Sequence, residues 1–261
     1  MTASDIDTAR ISARGVSKTF ANGDGALRVL EGIDLKVGRH EFVSVLGPSG
    51  CGKSTLFNII AGLEEPSTGE VEVDGQRDRI GRSGYMPQRD LLMPWKRIAD
   101  NVALGRIVKG TPRREARREA VEILERFGLG DFTTHYPSQL SGGMRQRAAL
   151  ARTFLSGDDI LLLDEPFGAL DSLTRLQMQA WLLDIWQESA ASVLFVTHDV
   201  DEAIRLSDRV YVLTSRPAAV ATIVEVDLPR PRHYDTVLTP EFAQLKRQAL
   251  THLHPDAEPE A

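Results

Sequence analysis

Residues 47–55 bring together glycines, a lysine and hydroxyl side chains in the order Gly-Pro-Ser-Gly-Cys-Gly-Lys-Ser-Thr. Gly47, four residues, and then Gly52, Lys53 and Ser54 form the P-loop pattern, in which backbone N–H groups converge on a polyphosphate without interference from Cβ atoms. Lys53 can supply positive charge to the β- and γ-phosphates, and the Ser54 hydroxyl can ligate Mg²⁺. The residues expected at the phosphates are Gly47, Pro48, Ser49, Gly50, Cys51, Gly52, Lys53, Ser54 and Thr55.

Two adjacent carboxylates, Asp164 and Glu165, follow the apolar run Ile160–Leu163. Such a run is typical of a strand buried on both faces, and ligands bind at the C-terminal edge of open parallel sheets. Asp164 can hold a Mg²⁺ ion while Glu165, pointing the other way, polarises an attacking water. A helix N-cap after a strand would explain one carboxylate but not the pair. His198 likewise follows a strand-like run, which favours a functional histidine over a packed or surface one.

A second glycine-rich segment, Leu140–Arg147, carries Ser141, Gly142 and Gly143 at the start of a predicted helix. A serine followed by two glycines at a helix N-terminus predicts another anion-binding site. Its distance along the chain from the first loop leaves open which phosphate it serves.

Two residues have alternative interpretations. Phe20 ends the first predicted strand, where its ring could stack on a purine or pack in the core, and position alone favours neither. Cys51, the single cysteine, is either a target of thiol reagents or a small filler of the phosphate loop, and the filler is favoured.

The elements that must position these residues have the pattern of an α/β fold. A predicted strand at 41–46 precedes the P-loop and a predicted helix, Lys53–Ala61, follows it. The short strands expected before them form an antiparallel sheet. These strands are Ile11–Phe20, Leu27–Leu30 and Ile33–Val37, with a turn at Asn22–Gly25.

The remaining pattern predicts a helical block followed by further strands. From Gln88 the chain has an apolar loop around Trp95 and helices at Ile98–Leu104 and Thr111–Phe127. Beyond this block, strands are predicted at 160–163, 192–197, 209–214 and 221–228, and helices at 169–188, 201–207 and 241–253. The block therefore looks like an insertion into the α/β domain.

Composition limits the function. The 261 residues include 31 Lys plus Arg against 37 Asp plus Glu, a net charge of −6, which argues against bulk electrostatic binding of nucleic acid. No apolar run is long enough to span a membrane, and one cysteine permits no internal disulfide. A chain of this kind is expected in the reducing cytosol.

Taken together, these motifs resemble the nucleotide-binding subunit of an ABC transporter, and the resemblance covers nearly the whole chain. The P-loop resembles the Walker A motif, and residues 160–165 resemble Walker B with its catalytic glutamate. Gln88 resembles the Q-loop glutamine, residues 140–147 the signature, residues 169–171 the D-loop and His198 the switch histidine. The family fold implied is a P-loop NTPase core with an antiparallel β subdomain and a helical insertion carrying the signature. Residues 1–87 and 158–261 would form the core, and 88–157 the insertion.

The resemblance also implies how the site works. In this family two copies associate head to tail, so that each ATP lies between the P-loop of one and the signature of the other. Ser141 and Gly143 would contact the γ-phosphate held by the partner copy, with Gly142 and the D-loop residue Asp171 completing the nucleotide contacts. Glu165 would be the general base, His198 would clamp the γ-phosphate, and Gln88 would complete the Mg²⁺ and water shell. Phe20 matches the position of the adenine-stacking residue, which is more often tyrosine.

A finer similarity involves residues 88–95 and Asp100–Leu104, which are similar to the nitrate, sulfonate and taurine group of bacterial importers. That group includes systems for thiamine-precursor pyrimidines. The implied partners are membrane permease subunits and, indirectly, a periplasmic or lipid-anchored solute-binding protein, at the cytoplasmic face of the inner membrane. Trp95 would lie beside the groove that receives the permease, or would simply pack within the insertion.

The alternative function is a non-transport ABC ATPase that acts as a nucleotide-dependent switch on ribosomes or nucleic acid. Such chains usually carry two cassettes or a long coiled coil. This sequence has neither, and it lacks a basic face.

Overall fold

The computed structural model describes residues 9–22, 25–156 and 159–253. Within these residues the strands build two sheets, a three-stranded antiparallel sheet and a six-stranded sheet that contains the strand before the P-loop. The strands are β1 (Ile11–Asn22), β2 (Gly25–Val37), β3 (Phe42–Leu46), β4 (Thr68–Val73), β5 (Gly84–Met86), β6 (Ile160–Asp164), β7 (Ser192–Thr197), β8 (Arg209–Leu213) and β9 (Val220–Glu225).

The six-stranded sheet has the order β5-β6-β7-β3-β8-β9, in which only the last pair is antiparallel. Its strands β3, β6 and β7 are buried along their whole length, as their continuous apolar sequences predict. Because these strands are parallel, the residues that follow them come to the same edge of the sheet. The P-loop, the two carboxylates and His198 are therefore neighbours in space.

The helices cover both faces of this sheet and form the block that follows β5. They are α1 (Lys53–Ile60), α2 (Ile98–Val102), α3 (Leu104–Val108), α4 (Arg113–Arg126), α5 (Gly142–Leu155), α6 (Ser172–Glu188), α7 (Val200–Leu206) and α8 (Pro240–Leu253). Within the described ranges, no helix has both the length and the apolar character needed to cross a lipid bilayer.

Three of the predicted elements, two strands and one helix, are wrong in detail, and one strand was missed. The strands predicted at Leu27–Leu30 and Ile33–Val37 are one strand, because an extra residue at Gly32 bulges out while the ladder continues on both sides. The helix predicted at Ile98–Leu104 is instead two short helices that meet at Ala103. The pattern gave no signal for β5, whose three residues are too few to show a period.

The turn predicted at Asn22–Gly25 falls partly on residues 23–24, which lie outside the described part of the chain. The division into a core and a helical insertion at residues 88 and 157 stays a prediction.

Among the described residues there are three hydrophobic cores, one of which packs α7 and α8 against β8 and β9. The other two lie on opposite faces of the six-stranded sheet, because side chains alternate along each strand. One core, here called the P-loop core, joins Leu162 and Leu194 of the sheet to α1 and to the three-stranded sheet. The other, here called the helical core, joins Leu161 and Phe195 to α6 and to the helical block without a break. The helical block therefore shares one continuous interior with the sheet.

Candidate functional site

The phosphate loop runs from the end of β3 to the start of α1, and its shape depends on glycine. Gly52 has φ +127°, and a Cβ there would lie 2.8 Å from Cγ1 of Val29. Lys53 is buried, and its Nζ donates hydrogen bonds to the carbonyl oxygens of Gly47 at 2.8 Å and Pro48 at 2.9 Å. An ammonium has three N–H donors, so one remains for an acceptor above the loop. The loop thus places a fixed positive charge beside the backbone amides at the start of α1.

The start of α1 adds to this anion site. Gly52 occupies the N-cap and provides no side-chain hydrogen bond, so the amides of the first turn are not capped by a side chain. These amides and the positive end of the helix dipole favour a phosphate group. Cys51 is buried beside Gly47, and burial raises the pKa of its thiol. The geometry therefore favours the loop-filler interpretation of Cys51 over a reactive thiol.

Asp164 ends β6 beneath the phosphate loop and is only 1% exposed. Burial raises the pKa of its carboxyl, while the nearby Ser54 hydroxyl and the Lys53 charge oppose that rise. The hydroxyl does not reach normal hydrogen-bond geometry, and neither carboxylate oxygen has a hydrogen-bond partner among the described residues. A buried carboxylate in this state is costly unless a cation neutralises it. The oxygens of Asp164 and Ser54 are the hard ligands that Mg²⁺ prefers, so the residues present fit this ion.

Glu165 adopts a left-handed backbone conformation, φ +48°, which a residue with a side chain rarely takes. Its N–H donates to the carbonyl oxygen of Val196 on the neighbouring strand at 3.0 Å. This turn separates the two adjacent carboxylates. Asp164 lies beneath the phosphate loop, and Glu165 faces Gln88 and His198. Backbone strain of this kind is concentrated at functional sites.

Three predicted catalytic residues meet at one oxygen atom. Gln88 Nε2 donates to Glu165 Oε2 at 3.3 Å, and His198 Nδ1 lies 3.4 Å from the same oxygen. The Glu165 side chain is mostly buried, whereas 55% of the His198 side chain is exposed. A carboxylate held by an amide and an imidazole at the sheet edge is suited to orient a water and accept its proton. The hydrogen bond to Glu165 holds the Gln88 side chain at this site, and its role as a metal ligand stays a prediction.

The signature residues lie elsewhere in the chain's own fold. Ser141 caps α5 by accepting a hydrogen bond from the Met144 N–H at 3.3 Å, and Ser141 and Gly142 are exposed. Gly143 packs so closely against Leu170 that a Cβ would lie 3.0 Å from its Cδ2. Across the described ranges, no hydrogen bond or ion pair joins residues 141–143 to the phosphate loop. The predicted second anion site is therefore exposed at the surface of this chain.

Asp171 is exposed and caps α6, since its carboxylate accepts a hydrogen bond from the Thr174 N–H at 3.0 Å. Hydrogen bonds to Thr174 lower the pKa of the Asp171 carboxyl. Phe20 is half-buried at the end of β1, where it packs against the P-loop core, and Lys18 Nζ lies 4.9 Å from its ring centroid. The ring thus makes core contacts and keeps part of its surface exposed, so adenine stacking stays a prediction.

Residues 30–168 match the family model described as ABC transporter. The chain belongs to the ABC transporter family. An uncharacterised ABC transporter ATP-binding protein of Methanocaldococcus jannaschii is 43% identical over 92% of this chain and 90% of its own length. The aliphatic sulfonates import ATP-binding protein SsuB 1 of Agrobacterium fabrum is 46% identical over 93% of this chain and 83% of its own length. The corresponding protein of Bacillus cereus is 40% identical, with 92% and 94% covered.

Among solved structures, a dimeric post-hydrolysis state of the ATP-binding cassette MJ0796 bound to ADP and Pi is similar, with a TM-score of 0.77 and 32% identity. The match covers 84% of this chain and 100% of that one. The predicted fold class and the ATPase assignment are confirmed, and the chain is an ABC ATPase that binds ATP. The import ATP-binding relatives confirm the prediction of an importer subunit and do not favour a switch on ribosomes or nucleic acid. Membership implies a second cassette and permease subunits, and hence peripheral association with a membrane.

Several arginine contacts around this ABC ATPase site could not be predicted from the sequence. Arg216 donates from Nη2 to the carbonyl oxygen of Gly50 in the phosphate loop, across a separation of 166 residues. Arg145 of the signature helix pairs with Asp90 at 3.0 Å, and Arg152 donates to the Asp90 carbonyl oxygen at 2.7 Å. These contacts link the signature helix to the segment after Gln88. A lone arginine far away in sequence resembles any solvated surface residue until the fold is known.

Proposed function

We propose that this protein is the ATP-hydrolysing subunit of an importer for aliphatic sulfonates or a closely related small organic anion. The proposal is supported by the two sulfonate-import relatives, at 40% and 46% identity over nine-tenths of this chain. Nitrate, taurine and hydroxymethylpyrimidine are the alternative substrates, because the segment from Gln88 to Trp95 resembles that whole group.

The single observation that carries the hydrolytic role is the meeting of Gln88, Glu165 and His198 at one carboxylate oxygen. Glu165 accepts the proton of the attacking water, and Gln88 and His198 hold the carboxylate and the water in line with the γ-phosphate. His198 is exposed enough to reach that phosphate as well. Catalysis is therefore mainly positioning and charge stabilisation, as in other phosphoryl transfers.

The phosphate-binding role belongs to residues 47–55. Lys53 keeps one N–H donor for the β- and γ-phosphates, and the uncapped amides of α1 surround them. Asp164 and Ser54, with Gln88 at the edge of the site, would hold Mg²⁺. When bound, this ion neutralises charge on the phosphate oxygens. Phe20 provides a ring for the adenine at the end of β1.

The outward-facing signature implies that the complete site needs a second copy of the chain. Ser141, Gly142 and Gly143 at the exposed start of α5 meet the γ-phosphate held by the partner, and Asp171 lies beside them through the packing of Gly143 on Leu170. The dimeric form of the similar cassette supports this arrangement.

A groove beside Gln88 suits the permease. A cavity of about 430 Å³ lies between residues 88–92 and the start of α5, and the exposed side chain of Leu91 lines it. Trp95, in the same segment of the chain, is 73% exposed. Exposed apolar side chains rimmed by charged residues are typical of protein interfaces. Docking there places the protein at the cytoplasmic face of the inner membrane, where a periplasmic or lipid-anchored solute-binding protein acts on it only through the permease.

The test is the ATPase activity of the purified complex with the permease encoded beside it, titrated with solute-binding protein loaded with an alkanesulfonate, taurine, nitrate or hydroxymethylpyrimidine. Stimulation by the alkanesulfonate-loaded form, abolished by Glu165→Gln, is the expected result. Stimulation by another loaded form would reassign the substrate. Trp95→Ala should reduce recovery of the complex, whereas Leu63→Ala, which changes an exposed apolar side chain outside this segment, should leave it intact.

A further inference from the structure

A carboxylate that the sequence motifs do not single out lies behind His198. Glu202 of α7 is buried, and both of its oxygens accept hydrogen bonds: Oε2 from Thr197 Oγ1 and Oε1 from Gln179 Nε2, each at 2.7 Å. Burial raises the pKa of this carboxyl, and the hydrogen bond from Thr197 opposes the rise. Burying a carboxylate is costly unless its oxygens accept hydrogen bonds, and both oxygens of Glu202 do so here.

The first of these bonds fixes the corner that carries His198. Thr197 is the last residue of β7, and its hydroxyl also accepts a hydrogen bond from the Asp199 N–H at 2.9 Å. The Asp199 carboxylate in turn accepts from the N–H groups of Asp201 and Glu202. The residues on both sides of His198 are therefore held, whereas its ring is largely exposed and lies near Glu165. The position of the ring against Glu165 is thus set by this corner.

The other end of the network leads to the D-loop. Arg175 Nε of α6 lies 3.9 Å from Glu202 Oε1, and Arg175 Nη2 donates to the carbonyl oxygen of Leu170 at 3.2 Å. Leu170 belongs to the D-loop and contacts the signature residue Gly143. One carboxylate therefore connects the segment expected to face the second cassette with the corner that carries His198.

We propose that Glu202 is a positioning residue for ATP hydrolysis, which acts on His198 through Thr197 and is itself connected to the D-loop through Arg175. Its carboxylate makes the placement of His198 depend on the position of the D-loop, and thus on the neighbouring cassette. This inference rests on the role proposed above for His198.

The test is a double-mutant cycle in the complex with the permease, using Glu202→Gln and His198→Ala singly and together. Glu202→Gln removes the negative charge beside Arg175 and leaves one acceptor oxygen where the carboxylate has two, so kcat should fall about tenfold while the KM for ATP stays within about twofold. In the His198→Ala background the same change should lower kcat by less than about twofold, because its effect passes through His198. Thr197→Val should behave like Glu202→Gln.

Two variants separate positioning from general damage to the fold. Glu202→Gln combined with Gln179→Glu exchanges the amide and the carboxylate. The amide introduced at position 202 keeps an acceptor oxygen for Thr197 and can donate to the carboxylate now at position 179. This double variant should restore most of the lost kcat. Glu188→Gln removes an exposed carboxylate from α6, the helix that carries Gln179. Glu188 pairs with Arg126 at 3.3 Å, and the variant should retain the parent kcat. Binding of a fluorescent ATP analogue should be equal in the parent, in the variants of Glu202, Gln179 and Thr197 that keep His198, and in Glu188→Gln.

The inference is overturned if Glu202→Gln keeps the parent kcat, or if it lowers kcat by the same factor with and without His198, since it would then act on the fold alone. It also fails if His198→Ala hydrolyses ATP like the parent. The proposed import function has a separate readout, because the response of the parent complex to loaded solute-binding protein does not depend on these variants.

Discussion

Replacing Glu165 by glutamine removes a proton acceptor and changes little else. The left-handed backbone at this position, φ +48°, costs on the order of 1–2 kcal/mol, and the cost is the same for both side chains. The amide can keep contacts with Gln88 and His198, since it has both an acceptor and a donor. Those two contacts are long, 3.3 and 3.4 Å, so the loss of charge should lower the free energy of unfolding by less than about 1 kcal/mol.

The effect on hydrolysis should be much larger. A positioned general base contributes about 10²- to 10⁴-fold, so kcat should fall roughly 10³-fold, equivalent to about 4 kcal/mol of transition-state free energy. Nucleotide binding depends on Lys53 and the loop amides, which are unchanged, so ATP affinity should be retained. An ATP-bound dimer that forms but does not hydrolyse should therefore accumulate.

The assay combines steady-state phosphate release with size-exclusion chromatography in the presence of ATP. Glu188→Gln serves as the matched control, because it changes a glutamate that is exposed and remote from the site. If Glu165→Gln hydrolyses ATP within about threefold of the parent rate, the proton acceptor is another group and the assignment of Glu165 is wrong. A fall in melting temperature with loss of ATP binding would show instead that the carboxylate supports the fold.

Three further perturbations address the phosphate loop and the metal site. Asp164→Asn should raise the Mg²⁺ concentration for half-maximal ATPase activity by about tenfold or more. It should leave the melting temperature of the nucleotide-free protein equal or higher, because it removes a buried carboxylate whose oxygens accept no hydrogen bond from the described residues. A lower melting temperature would contradict this. Gly52→Ala should weaken binding of a fluorescent ATP analogue by about tenfold or more, since the left-handed backbone and the contact with Val29 cost about 1–3 kcal/mol. Unchanged affinity would mean that the loop can relax. Cys51 should react with iodoacetamide at pH 8 far more slowly in the native protein than in urea, because the folded chain shields its thiol from the reagent and burial raises the pKa of that thiol. Equal rates would contradict the observed packing.

The sequence was most informative where the chemistry depends on the ends of strands. Asp164, Glu165 and His198 could be placed at one sheet edge because continuous apolar runs precede them and parallel strands end together. The P-loop could be located because its glycines are required by backbone geometry. The family resemblance then supplied the roles of Gln88 and of the signature, which spacing alone could not give.

Features that depend on packing could not be predicted. Neither the left-handed backbone of Glu165 nor the contact of Arg216 with the phosphate loop leaves a periodic pattern. Glu202 appears in sequence as an ordinary helix residue, and only the positions of α6 and β7 surround it with donors. The bulge at Gly32 divided one strand into two predicted strands because it interrupts the alternation on which strand prediction depends.

The helical core has a consequence for how the helical block can move. Its side chains run without a break from Leu161 and Phe195 of the sheet into the block, so no open seam separates the two parts. Pulling the block away would expose that interior to water, whereas sliding it along the sheet exchanges one apolar contact for another. Apolar contacts have no preferred direction, so a displacement parallel to the sheet surface is the less costly movement. The block should therefore shear across the sheet rather than swing open on a hinge.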